Sequence, residues 1–205
     1  NKSIYKVGNT ISDLIKNNLS LIKNNKILLT HNLKIKKFFL ITLHRPESVD
    51  DPKKLKQLIL NFEKLGRKFK TNFIFPVHPR TNKILKKLNL NKTKFIVFIK
   101  PLEFLDFLYL MKNSKIVFTD SGGIQEETSL IGVPCITLRT TTERQISLRE
   151  KTNILTGYTY SKIYKAISYF FFKKIKPSKA FGDGNVAKRI VKLINHIDRN
   201  SIKIN

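Results

Sequence analysis

Five short apolar runs, at residues 37–43, 72–77, 94–99, 115–119 and 134–138, recur along this chain with helix-patterned sequence between them. Each run is too short for a helix and apolar on both of its faces, the pattern of a strand buried on two sides. Between the first two, Leu55, Leu58, Ile59, Phe62, Leu65 and Phe69 recur at helical spacing, and Asp50 with Pro52 supplies a start signal. The spacing predicts further helices over 80–89, 103–112, 123–131 and 160–172, with a sixth strand at Ile154 and Leu155. A last amphipathic helix carries Val186, Ile190, Val191, Ile194 and Ile197. Alternation of this kind predicts an α/β fold, a Rossmann-like parallel sheet with helices on both faces and right-handed crossovers. A helix over 9–23 and the polar stretch 23–37 precede the first strand, so residues 1–30 are expected to form a domain junction and residues 31–205 the Rossmann-like domain.

A chain of 205 residues with 41% apolar content can supply a substantial core. The apolar run Phe104–Met111 is broken by Asp106 and falls short of a bilayer span. The first residues lack a basic start followed by an apolar stretch, so no signal peptide is expected. The single cysteine, Cys135, lies in an apolar run and reads as a buried structural thiol, which fits a reducing cytoplasm. The net charge of +26 raises nucleic acid or an acidic membrane as a partner. Yet only eight of the forty basic residues are arginine, and neither an arginine cluster nor zinc spacing nor an aromatic RNA-binding motif accompanies them. No specific nucleic-acid partner and no membrane partner is therefore expected; a basic nucleic-acid-binding protein stands as the non-enzyme alternative.

In open parallel sheets, ligands bind beyond the carboxyl ends of the strands. There the sequence puts His44 and Arg45 after the first strand, His78 after the second, Ser121 after the fourth and Arg144 after the fifth. The stretch Phe118–Glu127 reads as a strand end, a glycine turn and a helix start. Such a start presents backbone N–H groups without internal partners and the positive end of the peptide dipole, and Gly122 and Gly123 let a phosphate approach the main chain. Ser121 adds a hydroxyl donor. Glu126 and Glu127, one turn later, suit sugar hydroxyls rather than the phosphate, so the pair points to a nucleotide. The competing reading is that Asp120 or Ser121 simply caps this helix. Neither the histidines nor the carboxylates form a recognisable metal-ligand set, and neither a metal nor a cofactor is expected.

Several segments together, in order along nearly the whole chain, resemble the C-terminal half of the non-hydrolysing UDP-N-acetylglucosamine 2-epimerases. They are Gly8-Asn9-Thr10, residues 43–47, 76–79 and 101–107, the turn 119–127, Thr142-Glu143-Arg144, residues 152–157 and Gly182-Asp183-Gly184. The resemblance implies the second Rossmann-like domain of a two-domain GT-B fold and interconversion of UDP-GlcNAc and UDP-ManNAc by elimination and re-addition of UDP. It puts His44 beside the pyrophosphate as the group that stabilises or protonates the leaving UDP. It gives Ser121, Gly122 and Gly123 the phosphate, Glu127 the ribose hydroxyls and Arg144 the nucleotide sugar. Glu126 is left as a helix-surface residue. Phe107 matches an aromatic wall near uracil, with a core role as the alternative. His78 is a candidate for regulation through a second UDP-sugar, with a structural histidine as the alternative. Pro46, Leu102 and Gln145 depart from the common pattern.

The resemblance also implies that the acidic residues acting at C2 belong to an N-terminal catalytic domain that this chain, beginning at Asn1, does not contain. The expectation is a fragment or an incomplete gene product, unless a separate chain supplies the other half, and a homodimer for the full-length family. A hydrolysing epimerase and a UDP-sugar glycosyltransferase remain the enzymatic alternatives.

Overall fold

A computed structural model describes residues 4–24 and 26–201. The chain opens with α1 (Ile11–Asn18), a 3₁₀ turn (Leu21–Asn24) and α2 (Ile27–Thr30), then enters β1 (Phe38–Thr42). There follow α3 (Pro46–Val49), α4 (Pro52–Phe69), β2 (Asn72–Pro76), α5 (Pro79–Lys87), β3 (Ile96–Ile99), α6 (Phe104–Asn113) and β4 (Ile116–Thr119). The last third holds α7 (Gly122–Ile131), β5 (Cys135–Thr137), α8 (Gln145–Arg149), β6 (Asn153–Leu155), α9 (Tyr160–Phe170) and α10 (Val186–Ser201).

All strand pairings are parallel, in the order β3-β2-β1-β4-β5-β6. The chain thus builds outward from β1 to β3, returns to the centre at β4 and builds the other way. The switch between β1 and β4, registered by Leu40 against Val117 and Thr42 against Thr119, opens a crevice at their carboxyl ends.

Alternation along each buried strand divides the core in two. Phe39 and Ile41 join Phe73, Phe75 and Phe118 under α4 and α9, while Phe38 and Leu40 join Ile74 and Val117 under α1 and α6. Ile15, Ile22 and Leu28 belong to the second cluster, so α1, the 3₁₀ turn and α2 pack on the sheet's own core. Cys135 is buried, and burial pushes its thiol up to about 12, as fits a structural residue.

Two local expectations need correction. The helix expected over 9–23 stops at Asn18, and the chain continues as a separate 3₁₀ turn. The start signal of α4 is Asp51, not Asp50. The Asp51 carboxylate accepts from the N–H groups of Lys53 and Lys54 at 2.9 and 3.2 Å, and Asp50 instead pairs with Arg80 at 2.7 Å.

The motifs near the two ends of the chain close on one another. Asn9 N–H donates to Phe181 O at 2.7 Å, and Gly184 N–H donates to Ser12 Oγ at 3.2 Å. Asp13 accepts from Val186 and Ala187 at the start of α10. Gly182, at φ +142°, lies so close to Ser12 that a Cβ there would stand 2.2 Å from its Oγ.

Candidate functional site

At the end of β4 the chain turns sharply into α7. Ser121 N–H donates to Thr119 Oγ1 at 3.0 Å, and Ser121 stands at the N-cap with extended backbone. Its side chain makes no capping hydrogen bond. Asp120 does not cap either, for its carboxylate, wholly buried, faces the loop after β1. There it accepts from the N–H of His44 at 3.2 Å and of Arg45 at 3.1 Å. The capping alternative therefore fails for both residues, and the first turn of α7 keeps its donors uncapped by side chains.

The same carboxylate lies beside a candidate side chain. His44 is 58% exposed, and its Nδ1 lies 3.3 Å from Asp120 Oδ1, so Nε2 is the ring nitrogen turned away from Asp120. Asp120 thus ties β4 to the loop after β1 across the switch point and holds that loop beside the glycine turn. The sequence offered Asp120 only as a cap; its partners lie 75 and 76 residues away along the chain and leave no local signal.

Arg144 reaches the turn from the loop after β5. Its Nε donates to Glu126 Oε1 at 2.6 Å, and its Nη1 forms an ion pair with Glu143 Oε1 at 2.9 Å. Glu126 is 6% exposed and uses its other oxygen to accept from Asn9 Nδ2 at 2.5 Å. Glu126 is therefore no helix-surface residue: it anchors Arg144 and Asn9 to α7 at once. Gly122 leaves room for this arrangement: a Cβ there would come to 2.9 Å from Glu143 Oε1 and 3.1 Å from the Arg144 guanidinium carbon, so a side chain would have to displace Glu143.

Beneath these groups runs a buried polar network. Gln125 Nε2 donates to Ser121 O at 3.2 Å, while its Oε1 accepts from Thr142 Oγ1 at 2.7 Å and Asn153 Nδ2 at 3.1 Å. Asn153 accepts from Thr137 Oγ1 at 2.8 Å and Thr142 Oγ1 accepts from Arg144 N–H at 3.1 Å. The glycine turn, the loop carrying Arg144 and the edge strand β6 are thereby locked together. Gln125, Thr142 and Asn153 lie inside motifs noted above, but their pairing is a tertiary fact.

Glu127 projects one turn into α7, half-buried. Burial first, and the neighbouring Glu126 carboxylate second, push its pKa up to about 7. Its Oε1 would lie 3.8 Å from a Cβ on Gly123, so it stands near the glycine turn without crowding it.

The two remaining candidates have plain structural tasks. His78 is the N-cap of α5, its Nδ1 accepting from Arg80 N–H at 3.3 Å. Phe107, in the first turn of α6, packs half-buried against the core cluster of the α1 and α6 face. The structure thus brings together His44, Ser121, Gly122, Gly123, Glu127 and Arg144 around α7, and gives His78 and Phe107 positions explained by capping and packing. A cavity of about 720 Å³ lies elsewhere, lined by Ile59, Glu63, Leu90 and Phe98 near β3.

The comparisons with known proteins agree with this geometry. A protein of Methanococcus maripaludis called UDP-N-acetylglucosamine 2-epimerase is 39% identical over 200 residues, covering 94% of this chain and 55% of its own length. The structure of Methanocaldococcus jannaschii UDP-GlcNAc 2-epimerase in complex with UDP-GlcNAc and UDP superposes with a TM-score of 0.86 at 38% identity, over 95% of this chain and 55% of that one. That of Neisseria meningitidis UDP-GlcNAc 2-epimerase bound to UDP-GlcNAc gives 0.83 at 29% identity, over 95% and 56%. The chain spans about half the length of the curated relatives it matches. The sequence model of the family described as UDP-N-acetylglucosamine 2-epimerase matches residues 1–195, and the chain belongs to that family.

Proposed function

We propose that this chain is the UDP-binding half of a non-hydrolysing UDP-N-acetylglucosamine 2-epimerase. The observation that carries the reading is the junction at the switch point, where Asp120 holds His44 beside the uncapped N-terminus of α7. Cleavage of the sugar C1–O bond sends its electron pair onto the departing diphosphate, and that developing charge needs fixed donors. The Ser121–Gly123 turn, the α7 dipole and Arg144 meet the requirement, with His44 Nε2 the group that stabilises or protonates the leaving UDP. Glu127, one turn on, accepts the ribose hydroxyls.

The other half of the chemistry calls for a base to take the proton from C2 and an acid to return one on the opposite face, after which UDP adds back to the enzyme-bound glycal. In this proposal those groups come from the part of the relatives that the chain does not span. The homodimer expected of the full-length family and a cytoplasmic setting, where the buried thiol stays reduced, belong to the same reading.

Calorimetric titration with UDP, at moderate salt and with CMP as a competitor, tests the proposal. Saturable binding that prefers UDP and weakens in Glu127→Ala supports it; equal binding of CMP and UDP, or none, refutes it.

A further inference from the structure

One carboxylate in the site is an unexpected neighbour for a phosphate. Glu143 stands over the first residue of α7, with Oε1 2.9 Å from the place of a Gly122 Cβ, between two arginines. It pairs with Arg144 Nη1 at 2.9 Å through Oε1 and accepts from Arg139 Nη1 at 3.0 Å through Oε2. The residue reading gave Arg139 no role. Its side chain is 15% exposed, against 45% for Glu143.

Arg139 also faces the loop after β1. The Glu47 carboxyl is held below its ordinary value first by its own backbone N–H and then by Arg45 and Arg139. Arg139 thus lies on the same loop after β5 as Arg144, with Glu143 held between the two.

On the reading that this crevice takes a nucleoside diphosphate, we infer that Glu143 is an internal anion which the ligand's phosphoryl displaces, and that Arg139 is a further phosphate-binding residue. The exchange has a physical logic. Arg139 is too deeply set to lose its partner without another anion in its place. Arg144 cannot follow a departing Glu143, because Glu126 grips its Nε at 2.6 Å. Glu143 itself, exposed and on a flexible stem, can swing to water at little cost. A phosphoryl group then offers both arginines more charge and more acceptor oxygens than the carboxylate it replaces.

The test compares UDP with uridine as probes, in calorimetric titrations of the wild-type chain and of Glu143→Gln, Arg139→Gln and Arg139→Lys, with thermal unfolding of each as a check on folding. Glu143→Gln is expected to tighten UDP by about threefold, the scale of partly exposed ion pairs, and leave uridine unchanged. Arg139→Gln is expected to weaken UDP by about tenfold, the size of a charge-assisted hydrogen bond, with Arg139→Lys in between. UDP affinity unchanged or lowered in Glu143→Gln, or equal losses for UDP and uridine in Arg139→Gln, overturns the inference while the wild-type titration upholds the functional reading. A wild-type chain that shows no preference for UDP sinks both.

Discussion

At the scale of single residues, Glu127 makes the most direct prediction, because the proposed acceptor of ribose hydroxyls accepts more strongly as a carboxylate than when protonated. Its folded pKa of about 7 stands above the ordinary 4.5, so the folded chain binds more protons than the unfolded chain between those values. The contribution of Glu127 to stability is therefore fully present below the unfolded value and is lost as pH rises through about 7. Ligand binding should run the other way, with UDP held more tightly as the carboxylate forms. We expect UDP affinity to rise between about pH 6 and pH 8, and Glu127→Gln to remove the part of that rise due to this group. Titrations of both chains across that range, with urea unfolding at the same pH values, check both signs. The phosphate of the ligand can also titrate there, which is why the difference between the two chains is the quantity to read.

At the scale of elements, α7 has two ends of its task. Its N-terminus faces the proposed diphosphate site, and its buried flank, through Gln125, holds Ser121, Thr142 and Asn153. Truncating Gln125 strands buried donors and acceptors, so Gln125→Ala should cost about 2–3 kcal/mol in urea unfolding and weaken UDP by loosening the Arg144 loop. Asp51 provides the contrast, since it only caps α4 through Lys53 and Lys54. Asp51→Ala should cost about 1 kcal/mol and leave UDP affinity as it was. Equal losses of UDP affinity in the two variants would mean that the Gln125 network does no more than general packing.

At the scale of the whole molecule, the sheet order places the crevice between β1 and β4 and leaves the site open. His44 and Glu143 are exposed, as fits a surface that another domain completes. We expect the chain alone to bind UDP and not to interconvert UDP-GlcNAc and UDP-ManNAc, by proton NMR of the anomeric signals over hours. The two epimers appearing from either one in the presence of the purified chain would end that expectation. Restored turnover on adding the remaining half of a relative would identify what completes the cleft.

Much of this architecture was written in local pattern. Short runs apolar on both faces marked the strands. The 3.6-residue recurrence of Leu55, Leu58, Ile59 and Phe62 marked α4, and the glycine turn after Phe118 marked the start of α7. These features depend on neighbours in sequence, so the sequence by itself determined them. What it did not disclose were partners far apart along the chain: Asp120 with His44, and Glu126 with both Asn9 and Arg144. A charged side chain reads the same in sequence whether it meets water or another charge. Only the tertiary structure, by folding β1 against β4 and laying the Arg144 loop over α7, decided that Glu126 is a buried anchor and that Glu143 stands where a phosphate is expected.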